Sequence, residues 1–129
     1  MPSRWALTGK KPLIWIIDNN HWERADIRAL LIEGGCEVEG FASIFHAIVA
    51  LYREIVEKPA VIVLEIKNLP YRSGELEKLT RVGVPIVLLT GVYENRELAD
   101  KHRWAAVLQR PFTIGQVVEA VEAALRFQF

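Results

Sequence analysis

Apolar residues in this chain come in short unbroken runs, and most of the runs end on polar residues. Leu13-Ile14-Trp15-Ile16-Ile17 leads into Asp18-Asn19, and Ala60-Val61-Ile62-Val63-Leu64 leads into Glu65. Pro85-Ile86-Val87-Leu88-Leu89 leads into Thr90-Gly91, and Ala105-Ala106-Val107-Leu108-Gln109 leads into Arg110-Pro111-Phe112. Continuous apolar runs of this length predict buried strands of a parallel sheet. Residues 36–41 differ. Glu37 and Glu39 alternate with Cys36 and Val38, which predicts a half-exposed strand near a sheet edge.

Helical periodicity fills the intervals. Asn20 is a predicted N-cap with Glu23 at capping-box spacing, and Ile27, Leu30 and Leu31 share one face of the helix that follows. Gly34-Gly35 ends it. Ser43 caps a second helix whose stripe is Ile44, Ile48, Leu51 and Ile55, widened by Phe45, Tyr52 and Val56. Lys58-Pro59 closes that segment. A short third helix covers residues 75–81 on Leu76 and Leu79, and a mostly charged fourth covers 95–103 with Leu98 and Ala99 inward. Thr113 and Gln116 repeat the capping-box spacing before a last helix carrying Ile114, Val117, Val118, Val121 and Leu125. The alternation βαβαβαβαβα predicts an α/β domain, a parallel sheet with helices on both faces. In such sheets the carboxyl ends of the strands meet at one crevice, where ligands bind. Asp18, Glu65, Thr90 and Arg110 are therefore expected in one polar pocket.

Composition narrows the function. The chain has 129 residues, read as an N-terminal arm (1–11) and one domain (12–129). Sixteen basic and 16 acidic residues cancel, which removes the electrostatic footprint of a nucleic-acid binder. Arg4, Lys10 and Lys11 read as a solvated arm, with Trp5 and Leu7 tucked against the domain. Cys36 is the only cysteine, so no intrachain disulfide exists, and a reducing cytoplasm is the expected location. No apolar stretch is long enough to span a bilayer, and residues 1–11 lack the pattern of a secretory signal. Asp18-Asn19-Asn20-His21 contains no glycine, which argues against a phosphate-cradling loop after the first strand, and no serine nucleophile elbow appears.

Asp18-Asn19, Glu65, Thr90-Gly91 and Arg110-Pro111-Phe112, in that order and each closing a run, resemble the motifs of response regulator receiver domains of two-component signalling. The resemblance covers about residues 13–125. It implies a flavodoxin-like doubly wound sheet of five strands in the order 2-1-3-4-5. It also implies a phosphoacceptor aspartate after the third strand, an acidic pair after the first that holds magnesium, a lysine at the fifth, and a cis peptide before Pro111. Its partners would be a histidine kinase, another regulator or an output protein. A homodimer would form through the fourth helix, fifth strand and last helix. Neither a membrane nor direct contact with nucleic acid is expected.

Departures from that pattern carry the functional expectation. Glu65 replaces the aspartate and sets its carboxylate about one methylene farther out, where in-line transfer fails on geometry. Asn19 replaces one of the acidic pair, which weakens a magnesium site and leaves Asp18 and Glu65 as weak candidates for it. Arg110 replaces the lysine, and Val107 stands where receivers carry a switching aromatic. Pro70 falls one residue late, and the stretch from Glu65 to Thr90 is short. The expectation is a non-enzymatic pseudo-receiver with no required cofactor, acting through protein contacts. Two rivals stay open: a receiver that still accepts phosphate with magnesium, and a flavodoxin-like small-ligand binder. Within the first reading, Glu65 either imitates a phosphoryl group, receiving a hydrogen bond from Thr90 and a bidentate pair from Arg110, or forms a structural ion pair with Arg110.

His21, His46 and His102 lack metal-ligand spacing and read as solvated or boundary residues. Trp15 reads as core, and Trp22 and Trp104 as residues of the pocket rim, either partner anchors or partly buried.

Overall fold

Five parallel strands form one sheet in the order β2-β1-β3-β4-β5: β1 (Leu13–Ile17), β2 (Glu37–Phe41), β3 (Val61–Glu65), β4 (Ile86–Thr90) and β5 (Ala106–Gln109). The structure is a computed structural model, and it describes residues 10–53, 57–66, 73–91 and 104–126. The helices among these residues are α1 (His21–Glu33), α2 (Ile44–Tyr52), α3 (Ser73–Arg81) and α4 (Ile114–Arg126). Readings placed on residues 1–9, on Ile55 and Val56, on Pro70 and on the helix at 95–103 (His102 included) lie outside the described residues. The architecture is the flavodoxin-like one expected, with the expected strand order.

Strand alternation divides the core into two layers. Trp15, Ile17, Ile62, Leu64, Ile86 and Leu88 face α2 and α3, where Ile44, Ile48, Leu76 and Leu79 meet them. Ile14, Ile16, Val61, Val63, Val87 and Leu89 face α1 and α4, where Ile27, Leu31, Val117, Val121 and Leu125 close the other side. Burial on both faces is why β1, β3 and β4 read as unbroken apolar runs. Trp15 is fully buried, its ring centroid 4.7 Å from that of Phe41, and its indole nitrogen has no hydrogen-bond partner. Cys36 is buried beside β2, and burial, aided by the charge of Glu122, pushes its thiol up to about 11, so it is an inert packing group.

Three helix-face readings are corrected. Leu30 is exposed, because α1 turns Ile27 and Leu31 inward and leaves Leu30 toward the flank. Phe45 and Tyr52 do not widen the buried stripe of α2: they are 57% and 71% exposed. α2 is apolar at every position but His46, so its periodicity could not say which side faces the sheet. Trp104 does not belong to the pocket rim. It precedes β5, where Ala105 N–H bonds to the carbonyl of Ile86, and packs half-buried at the opposite end of the sheet.

The end of α1 is built on two unlike glycines. Gly34 caps the helix at φ −78°, while Gly35 takes φ 97°, a conformation that side chains oppose. Gly34→Ala, whose new Cβ would meet only ordinary contacts at 3.5 Å or more, is expected to be neutral or to raise stability by up to about 1 kcal/mol. Gly35→Ala is expected to cost about 1 kcal/mol or more. Urea midpoints of the two variants, measured side by side, check the difference.

Candidate functional site

The sheet ladder continues one residue past three of its strands. Asp18 N–H bonds to the carbonyl of Phe41 at 3.0 Å, Ile66 N–H to that of Leu89 at 3.1 Å, and Arg110 N–H to that of Thr90 at 3.0 Å. The carboxyl ends of β1, β3, β4 and β5 are thereby held in register. Asp18 and Glu65 are fully buried, Thr90 almost so, and the Arg110 side chain is 24% exposed.

Arg110 organises the site. Its two terminal nitrogens donate to the two carboxylate oxygens of Glu23, each at 2.8 Å, in the bidentate geometry that guanidinium and carboxylate favour. One of those nitrogens also lies 3.7 Å from Glu65 Oε1. The guanidinium carbon sits 4.8 Å from the centroid of the Phe112 ring. The peptide joining Arg110 to Pro111 is cis.

Glu23 is the functional residue that sequence reasoning placed wrongly. Its spacing from Asn20 matched a capping box, and half of that box forms: the Asn20 side chain accepts from the N–H groups of Trp22 and Glu23. The reciprocal half does not. Asn20 N–H donates to Asp18 Oδ1 at 2.8 Å, which leaves the Glu23 carboxylate to reach Arg110. The expected fork between Arg110 and Glu65 is thus replaced by a fork to Glu23 plus one longer contact to Glu65. The sequence offered only a weak signal: a glutamate in the first turn of the helix that leaves the pocket, beside a cap that Asn20 already supplies. A true reciprocal box does form at α4, where Thr113 N–H meets Gln116 Oε1 at 2.8 Å and Gln116 N–H meets Thr113 Oγ1 at 3.1 Å.

Asp18 bears the electrostatic strain. Burial, then a hydrogen bond with the Glu23 carboxyl, push its carboxyl up to about 8; the Asn20 N–H opposes them, and the nearby charges of Glu23 and Glu65 add smaller upward pushes. Asp18 Oδ2 is buried and accepts no hydrogen bond from a donor group. A proton on Asp18 would relieve this crowding of acids. Arg110 is held charged chiefly by its bond to Glu23.

The remaining predicted residues do other things. Asn19 is exposed. The Thr90 hydroxyl donates to the carbonyl of Gly91 at 3.2 Å, a local loop bond in place of the expected one to Glu65. Trp22 projects into solvent at 76% exposure, its ring edge-on to exposed His21. His46 bonds to Ser43 Oγ at 2.9 Å. Arg24 donates to the carbonyl of Asp18 and lies across Gly40 of β2, where an added Cβ would come within 3.0 Å of it. Among the described residues, no group of three or more His, Cys, Asp or Glu is arranged to hold a metal ion, and no helix is long and apolar enough to cross a membrane.

No protein-family model and no curated protein matches this chain. Solved structures do. It is similar to a response regulator receiver domain from Clostridium thermocellum, with 24% identity over 91% of this chain and 96% of that one, at a TM-score of 0.74. A response regulator receiver protein from Sinorhizobium medicae matches at 22% identity, 93% and 98% coverage and a TM-score of 0.76. The receiver domain of the Francisella response regulator 1452 matches at 19%, 92% and 100%, and 0.76. At these identities the likeness is one of fold: the chain has the fold of receiver domains.

The pH dependence has a definite sign. A carboxyl whose folded pKa lies above its unfolded value near 3.8 gives the folded state an extra proton between the two. The associated stabilisation is complete below pH about 4 and lost as pH rises to about 8. Asp18→Asn keeps the oxygen that accepts from Asn20 and offers Glu23 a permanent N–H. Relative to the parent, this variant is expected to gain stability steadily from pH 4 to 8. Urea denaturation of both proteins in EDTA across that range is the check; a pH-independent difference would contradict the proton on Asp18.

Proposed function

We propose that this chain is an atypical receiver domain that works through contacts with a separate cytoplasmic protein, such as a histidine kinase, another regulator or an output protein, and not through phosphoryl transfer. The observation that carries the reading is the Arg110 guanidinium forked onto Glu23 and reaching Glu65, with Glu65 fully buried at the end of β3. The receiver fold and the order of motifs along the strand ends support the receiver part. The state of the acid cluster supports the rest.

Phosphoryl transfer to a carboxylate needs an accessible nucleophile, correct in-line placement and a cation for the incoming charge. Here the acid in the phosphoacceptor position is buried, longer by one methylene and engaged by Arg110. A resident magnesium is a poor fit to these residues. Asn19 is neutral and exposed, and Arg110 already engages Glu23 and Glu65. Within the pseudo-receiver reading, the hydrogen bonds favour a structural role for Glu65 over phosphoryl imitation. Thr90 turns to Gly91, and the bidentate pair of Arg110 belongs to Glu23.

Intact mass after incubation with acetyl phosphate and magnesium tests the proposal. The parent is expected to carry no phosphoryl group. Glu65→Asp is expected to stay unlabelled too, because residues 19, 23 and 110 are unchanged. A stoichiometric adduct at Glu65 of the parent would overturn the reading.

A further inference from the structure

α2 has the composition of a helix covered on every side, since Ile44-Phe45-His46-Ala47-Ile48-Val49-Ala50-Leu51-Tyr52 holds one polar residue. Its buried residues, Ile44, Ala47 and Ile48, lie on one side. Phe45 and Tyr52, two turns apart on α2, stand 57% and 71% exposed. Beside Tyr52, a groove of about 500 Å³ opens between α2 and α3. Ile48, Leu51 and Val82 give it an apolar floor, and Lys58, Lys78 and Arg81 stand around it. Lys58 also borders a second hollow of about 450 Å³, lined by the residues that lead into β3 and β4.

These features share one electrostatic sign. Lys58 and Lys78 pair with no acid among the described residues, and Arg81 has only an exposed contact of 4.0 Å with Glu77, too weak to hold it. Exposed Glu57 adjoins Lys58 in sequence but does not line the groove. An apolar trough ringed by three cations, continued by an aromatic pair along α2, suits an acidic chain with apolar side chains. A second copy suits it poorly, because a symmetric pairing through this face would set the same cations against one another.

We infer that the α2–α3 groove docks an acidic amphipathic segment of a partner protein. The apolar face of the segment lies on Leu51, Tyr52 and Val82, and its carboxylates meet Lys58, Lys78 and Arg81. The groove lies at the amino ends of β3 and β4, the opposite end of the sheet from Asp18, Glu65 and Thr90. Docking there does not depend on the state of the acid cluster, so the inference goes beyond the proposed function and does not fall with it.

A fluorescent peptide of Leu and Glu at amphipathic helical spacing, with a Leu and Lys counterpart, is the probe, titrated into the full chain. The Leu/Glu peptide is expected to bind, to shift the NMR signals of Leu51, Tyr52 and Val82, and to weaken with added salt. The exposed double variant Lys58→Glu, Lys78→Glu should keep its circular dichroism and thermal midpoint while binding roughly tenfold more weakly. Four results would overturn the inference: absence of binding, equal binding of the Leu/Lys peptide, shifts centred on Asp18 and Thr90, or self-association of the chain that Tyr52→Ser abolishes. A phosphoryl group found on Glu65 would refute the preceding proposal and leave this binding unchanged.

Discussion

One guanidinium serves three buried or half-buried carboxyls. The parallel sheet delivers Asp18 and Glu65 to the same end, and α1 adds Glu23. Removing such groups from water is costly unless each finds a proton or a counter-charge. Arg110 engages Glu23 by two bonds and Glu65 by one longer contact, and burial raises the pKa of Asp18. The position of that arginine follows from the ladder bond that ties Arg110 N–H to Thr90. Its orientation follows from the fork to Glu23 and the Phe112 ring. That orientation sets what the crevice presents: one guanidinium forked onto Glu23 and within reach of Glu65.

The same balance ties distant parts of the chain together. Glu23 sits in the first turn of α1 and Arg110 just past β5, 87 positions apart. Their pair joins the start of α1 to the loop that leads into α4, on the side of the sheet where those two helices pack together. In a sheet of this type the loops at the carboxyl ends are the parts most free to rearrange. Here two of them are fastened to each other by a charge-assisted bond.

Legibility from sequence followed physical range. β1, β3 and β4 were readable because burial on both faces leaves an unbroken apolar signature, and β2 because Glu37 and Glu39 mark its exposed face. The Thr113–Gln116 cap was readable because both partners lie within one turn. Glu23 was misassigned for the converse reason: spacing reports local bonds, and nothing local announces a partner across the fold. Phe45 and Tyr52 were misplaced because a helix apolar all round gives periodicity nothing to resolve. Trp104 was a different error. It precedes its strand, so the parallel direction alone puts it at the far end from Arg110.

Gly40 has a consequence for how the molecule behaves in a crowded solution. It lies on β2, one of the two edge strands, and the absence of a side chain there lets Arg24 lie flat across the backbone. Glu37 and Glu39 place two carboxylates on the same strand. Unguarded sheet margins recruit foreign strands and seed aggregates. A margin carrying two acids is a poorer template for such growth than an uncharged one.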